Sequence, residues 1–229
     1  MRARSRSRDV ALAVCHTLAP STHRSPPTTV PLDTMLRIRH LTLGLPFVFA
    51  AAVHAAERVH EARLDDVEFG ANTAVVVPRF DPELGDLQRV EIELTTVAQG
   101  SAGFENLGAA PCTADTTVQS TVHVLVPNST SPVVAFRRAG AQFALGGFDG
   151  ARDFAGSSGR ALPATLATSG AAAIESGLGA FVAEHDDDVL TLPVHLRGGF
   201  QLQGVASAAI RESWSVQVIV RVRYVYDPR

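Results

Sequence analysis

The densest group of ionisable side chains is Glu184-His185-Asp186-Asp187-Asp188. Carboxylate oxygens are what a hard cation takes, so Glu184, Asp186, Asp187 and Asp188 can be read as a calcium loop. The spacing favours a solvated turn instead: the alternating Asp-x-Asp-x-Asp-Gly pattern and the later bidentate Glu are missing. Asp81, Glu83 and Asp86 form a second acidic group, but Asp-Pro and Gly-Asp are turn formers and Asp81 can cap its own backbone. Two carboxylates can hydrolyse a glycosidic bond, yet no motif selects a pair and sequence spacing does not set their separation. His60-Glu61 lacks the second histidine of a zinc-protease helix, and His60, His123, His185 and His195 are dispersed. There is no Gly-x-Ser-x-Gly elbow, and Gly156-Ser157-Ser158-Gly159 has the composition of a flexible linker. All 20 basic residues are arginine, which excludes a phosphate-cradling loop with its lysine. Cys15 and Cys112 cannot build a disulfide scaffold, and the neighbours of Cys112 supply no base to activate it. No catalytic residue is expected, and no cofactor other than calcium.

Aromatic side chains offer a different chemistry, the stacking of sugars. Trp214, Tyr224 and Tyr226 share one face with Val216, Val218, Val220 and Val222, company that places them in a core. Exposure of Trp214, or of Phe143, Phe148 and Phe154 as a flat row, would mark a carbohydrate platform instead.

The elements that must position these residues read as strands. From Trp214 to Tyr226 every second residue is apolar or aromatic, with Ser215, Gln217, Arg221 and Arg223 between and Ile219 and Val225 as exceptions: period two, one face buried. Val90, Ile92 and Leu94 alternate with acids and arginine. Val118 to Val126 and Leu190 to Leu196 alternate similarly, Pro193 suiting an edge or bulge. Thr73 to Val77 is a short apolar strand. Asp81-Pro82, Pro127-Asn128 and Gly198-Gly199 supply turns, with Phe200 to Gly204 starting a further strand that Ala206 to Ile210 continues. Asn128-Ser129-Thr130 reads as a turn rather than a glycosylated loop. Residues 139–180, rich in Gly, Ala and Ser, read as loops or weak edge strands, with one helical turn within Ala171 to Gly179. Many short strands with one polar face predict a single all-β domain, an antiparallel β-sandwich of jelly-roll or Ig-like type.

That domain covers residues 56–229. Ahead of it, residues 35–55 follow the secretory plan: Arg37, Arg39 and His40, an apolar run from Leu41 to Ala52, then Val53-His54-Ala55 for cleavage near Ala55. The run is too short to span a bilayer, so the mature chain has no transmembrane segment. Residues 1–34, Arg-rich and then Pro/Ser/Thr-rich, read as an unstructured or untranslated extension, with translation starting at Met35. Residues 1–55 hold 7 Arg against 2 Asp, whereas residues 56–229 hold 13 Arg against 21 acids. An acidic body argues against nucleic acid as a partner.

Several stretches resemble the choice-of-anchor E domain family. Val77-Pro78-Arg79-Phe80-Asp81-Pro82-Glu83-Leu84-Gly85-Asp86-Leu87, leading into Val90 to Leu94, is similar to that family's opening. Glu105-Asn106-Leu107-Gly108, Phe181 leading to Thr191-Leu192-Pro193-Val194, and the closing Val220 to Tyr226 follow in the family's order, and together span most of residues 66–227. The resemblance implies a bacterial exported module, often attached to the surface by a Pro-Glu-Pro-type sorting tail, with no catalytic residues. The chain stops at Tyr226-Asp227-Pro228-Arg229 without such a motif. The expectation is therefore a secreted or envelope-associated, non-catalytic protein with a structural or interaction role at the cell surface or extracellular matrix. The expected partners are extracellular polysaccharide or surface proteins. The alternatives are a carbohydrate-binding module and, behind it, a secreted hydrolase.

Overall fold

A computed structural model of the protein describes residues 55–229. The expected extension 1–34 with Cys15, and the expected signal peptide apart from Ala55, lie outside the described residues.

Eight strands account for most of the described residues: β1 (Ala56–Val67), β2 (Asn72–Pro78), β3 (Gly85–Asn106), β4 (Cys112–Val124), β5 (Val133–Leu145), β6 (Gly159–Ile174), β7 (Val189–Gln203) and β8 (Ala208–Pro228). They form two four-stranded sheets, ordered β1-β8-β3-β6 and β2-β7-β4-β5, in which every ladder is antiparallel. The pairs β4·β5, β3·β6, β2·β7 and β1·β8 nest inside one another. The topology is that of one long hairpin, tipped by β4 and β5, rolled up until β8 also meets β3 and β7 meets β4. Eight strands wound this way are a jelly roll. Of the two expected sandwich types, it is the jelly roll that forms.

Period two decides which side chains meet between the sheets. Val216, Val218, Val220, Val222 and Tyr224 of β8 are all buried, and in register beside them lie Leu94, Ile92 and Val90 of β3. Leu190, Leu192, Val194 and Leu196 of β7 close the core from the other sheet. The intervening residues of β8 face out, where Arg221 reaches Glu61 (3.1 Å) and Glu93 (3.6 Å), and Arg223 reaches Glu91 (3.4 Å) and Glu57 (3.8 Å). These exposed pairs contribute little each, but they tie β1, β8 and β3 in one register.

The structure departs from the expected elements in four places. β1 was not expected: Glu57, Arg58, Glu61, Arg63, Asp65 and Asp66 hide the alternation of His60, Ala62 and Leu64 on its inward side. β7 runs unbroken through Gly198-Gly199, so Phe200 continues it and the turn falls at residues 204–207. Gly198 is there for space, since a Cβ would lie 2.6 Å from the Phe69 ring. Of the two readings of residues 139–180, edge strands hold for most of the stretch, as β5 and β6 with a loop at 146–158, but the helical turn does not. Within them Ala171 to Ile174 is strand, and the only helical geometry nearby is a 3-10 turn at Leu178–Phe181. Pro193, though in an inner strand, sits where the ladder toward β4 has ended: the pairing stops at Val194, and Pro193 O accepts from Leu125 N (2.9 Å) just past it.

The motif residues at the corners each have a structural task. Phe80 is buried, with its ring 5.8 Å from Tyr224 and 5.1 Å from Tyr226. Asp81 Oδ1 accepts from Glu83 N (2.8 Å), capping the 3-10 turn Pro82–Leu84. Gly85, at φ +153°, lies against the Asp227 backbone with no room for a side chain. Glu105 is buried at the end of β3, where it accepts from Ser158 Oγ and Phe154 N (both 2.9 Å). Next to it, Asn106 Nδ2 donates to Ala110 O (2.9 Å) and Gly146 O (2.8 Å), and its Oδ1 accepts from Gly108 N (2.9 Å). The Glu-Asn pair thus pins two loops to one strand end, which satisfies backbone groups that would otherwise be buried unpaired.

Candidate functional site

A cleft lies where β1 turns into β2, beside β7 and β8, whose ladders with β4 and β3 run on past it. Three separated segments build it: Glu68-Phe69-Gly70 from that turn, Arg197-Gly198-Gly199 from β7, and Glu212-Ser213-Trp214 from β8. Its volume is about 560 Å³, within the range of small-molecule sites. Gly70 N donates to Leu196 O (2.9 Å), which holds the turn against β7.

Trp214 is the centre of this cleft. It sits on the inward side of β8 opposite Gly100 of β3, and a Cβ on Gly100 would lie 2.5 Å from the indole Cε3. The missing side chain lets the indole lie across the neighbouring strand. Its Nε1 donates to Glu212 Oε2 (2.9 Å), and the same oxygen accepts from Phe200 N (2.9 Å). Indole and carboxylate are therefore both fixed in orientation. The Phe69 ring stands 6.1 Å away at 49° to the indole. The company of valines places Trp214 in the core. The structure puts it half-buried at the rim of that core, because the first inward positions of β8 lie outside the close-packed centre that begins at Val216. Tyr224, by contrast, is fully buried as expected, and its hydroxyl donates to Pro78 O (2.9 Å). Burial pushes its pKa up to about 12.

The other aromatic candidates do not form a platform. Phe143 packs 5.8 Å from Phe104, and Phe154 lies under the Arg211 guanidinium at 4.7 Å. Phe143, Phe148 and Phe154 are all partly buried. On the outer face of the second sheet, Val76, Val134 and Phe136 are exposed, and His123 pairs across strands with His195. Cys112 is half-buried against the small cluster of Phe104, Ala114 and Leu145.

The acidic stretch 184–188 is a turn leading into β7. Asp188 Oδ2 accepts from Glu184 N (2.8 Å) and His185 N (3.2 Å), while Glu184, Asp186 and Asp187 are exposed. Those two amide bonds, Glu184's first, hold the Asp188 carboxyl below the usual carboxylate range. Arg79 braces the same region by donating from Nη1 to Ala180 O (2.9 Å) and from Nε to Val189 O (3.2 Å). Among the described residues no three of His, Cys, Asp and Glu converge as metal ligands, so the four predicted calcium ligands are not brought together. Asp81 and Glu83 likewise stay in their turn, Asp81 as its cap, while Asp86 lies at the start of β3 beside Arg229 (3.4 Å).

A smaller polar recess of about 230 Å³ lies on the outer face of the first sheet, around a bulge in β1. Its carboxylates are already engaged: Asp65 by Arg63 (2.8 Å) and Gln217 (3.1 Å), Asp66 by Ser215 (2.9 Å).

Among the described residues, no helix is long and apolar enough to cross a membrane. No family model matches the chain, and no curated protein matches it. Among solved structures, that of infectious bursal disease virus Gx strain is similar over 75% of this chain and 38% of the viral chain, at 9% identity and a TM-score of 0.18. That of the Gt strain is similar over 76% and 41%, at 10% identity and a TM-score of 0.10. The chain thus spans well under half the length of these viral chains. Similarity at these scores defines neither a shared fold nor a shared function.

Proposed function

We propose that the chain is an exported, non-catalytic jelly-roll module that acts at the cell surface or in the extracellular matrix, and that the Phe69–Trp214 cleft is where it binds. The observation that carries this reading is the fixed indole. Trp214 is seated over a glycine and aimed by a carboxylate that already accepts two N–H bonds, an arrangement that orients a ring for recognition. The secretory pattern of residues 35–55 and the resemblance to the choice-of-anchor E domain support export. The motif residues of that resemblance also occupy the corners that hold this fold together. Mass spectrometry of the amino-terminal peptide in separated cytoplasm, envelope and culture medium tests it. A chain beginning near Ala56 outside the cytoplasm is expected, and an intact chain from Met1 inside it refutes export.

One observation favours a second reading, a secreted glycoside hydrolase: Glu68 and Glu212 line the same cleft. Release of shorter sugars from an oligosaccharide, lost in Glu68→Gln, would establish it.

A further inference from the structure

We infer that the cleft takes a single unit of a neutral, hydroxyl-rich glycan chain, rather than a flat polysaccharide surface or an acidic polymer. The inference rests on the reading of the cleft as a recognition site and names the ligand class of that site. Its first support is the geometry of the two rings. A pyranose presents an apolar C–H face, and such a face seats on an aromatic ring. A flat polysaccharide surface would need rings in one plane, but Trp214 and Phe69 meet at 49° with centroids 6.1 Å apart. The two rings pack against each other as one bent aromatic corner, on whose open face a single unit seats at a time.

The second support is the polar lining. Glu212 gives both of its internal bonds to Oε2, and Oε1 accepts none among the described residues. Arg197, exposed at the mouth, makes no ion pair among the described residues and offers a planar fork of N–H donors. An acceptor, a donor fork and the Ser213 hydroxyl around one aromatic face suit vicinal hydroxyls, each of which both donates and accepts.

The third support is charge. The cleft holds Glu68 and Glu212 against Arg197, and residues 56–229 carry 21 acids against 13 arginines. A polyuronate or sulfated chain would approach a like-charged body and enter a cleft of net negative charge.

Trp214 is the only tryptophan of the chain, so its emission reports this cleft alone. The test titrates the full chain with cellohexaose, maltohexaose, laminarihexaose and hexagalacturonate while following tryptophan fluorescence. At least one neutral hexaose is expected to shift the emission saturably, and hexagalacturonate is not. Glu212→Gln and Arg197→Ala should each weaken that binding about tenfold, and Arg197→Ala, at the exposed mouth, should do so with an unchanged urea midpoint. Emission unmoved by all three neutral hexaoses overturns the inference. Tighter binding of hexagalacturonate than of any neutral hexaose also overturns it, while leaving the cleft as the binding site. If a neutral hexaose binds by calorimetry but neither variant weakens it, the cleft is not the site, and the reading on which the inference rests falls with it.

Discussion

Asn106 gives the sharpest test of how the loops are held. Its side chain is 2% exposed and makes three bonds to backbone groups of residues 108, 110 and 146. Asn106→Ala leaves two carbonyls and one N–H without partners in a region where water has poor access. Each such group costs about 1–3 kcal/mol when left unpaired; with partial rescue by water, the total is roughly 3–5 kcal/mol. For a domain of this size that lowers the melting temperature by on the order of 10 °C. Asn106→Asp separates hydrogen bonding from packing, because it keeps the shape and the bond from Gly108 N but cannot donate to either carbonyl. At neutral pH it should cost at least as much as alanine, since it sets a negative charge against two carbonyl oxygens. The gap should narrow on acidification, when the carboxyl gains one donor. Urea unfolding followed by circular dichroism at pH 7 and pH 4 measures both. An aspartate variant within about 1 kcal/mol of the wild type at pH 7 would refute the reasoning, because the two carbonyl bonds would then contribute nothing.

Trp214→Ala should cost about 2 kcal/mol in urea unfolding, below the cost of emptying a fully buried site, because one side of the indole faces the cleft. A loss above about 4 kcal/mol would put the ring back in the core. His60 has its pKa lowered, first by burial and then by Arg58, so the folded state takes up its proton later than the unfolded one. That stability is present above pH 6.5 and is lost as pH falls below it; His60→Gln should flatten the stability curve between pH 7.5 and 5. Tyr224 gives the opposite slope at the alkaline end. Its raised pKa means stability is full below pH 10 and falls as pH rises toward 12, and Tyr224→Phe should remove that decline. Asp188→Ala should lower the urea midpoint by the same amount with and without millimolar calcium, because its carboxylate caps backbone amides. A difference that appears only with calcium would make residues 184–188 a cation loop.

What could be read from sequence follows from how much of each strand is buried. β8 is flanked by β1 and β3 and faces the core, so its alternation is clean from Val216 to Tyr224 and predicts both its type and its inward side. Edge strands bury less. β1 carries charge at half its positions, and the inward-side Arg137, Ala139 and Ala141 of β5 are exposed, so neither shows a full apolar stripe. Gly198-Gly199 reads as a turn because glycine marks turns, but at 198 it marks the approach of Phe69 from another segment. The cleft was invisible for the same reason. Residues 68–70, 197–199 and 212–214 have no spacing in common, and only the rolled topology brings them together. The acidic stretch had the reverse problem: it is visible by composition, but the task of Asp188 as a cap on the amides of Glu184 and His185 is not.

The pairing of β1 with β8 also fixes how far the cleft lies from the chain ends. Ala56 lies in register with Tyr226, so the two ends of the domain emerge side by side at one pole. Trp214 lies twelve residues back along β8, and at about 3.3 Å per residue that is roughly 40 Å away. Any tether joined to either end would therefore hold the domain by its base, well away from the cleft. The same polarity makes either terminus a safe place for a fluorophore or an immobilising tag, since neither would crowd the cleft.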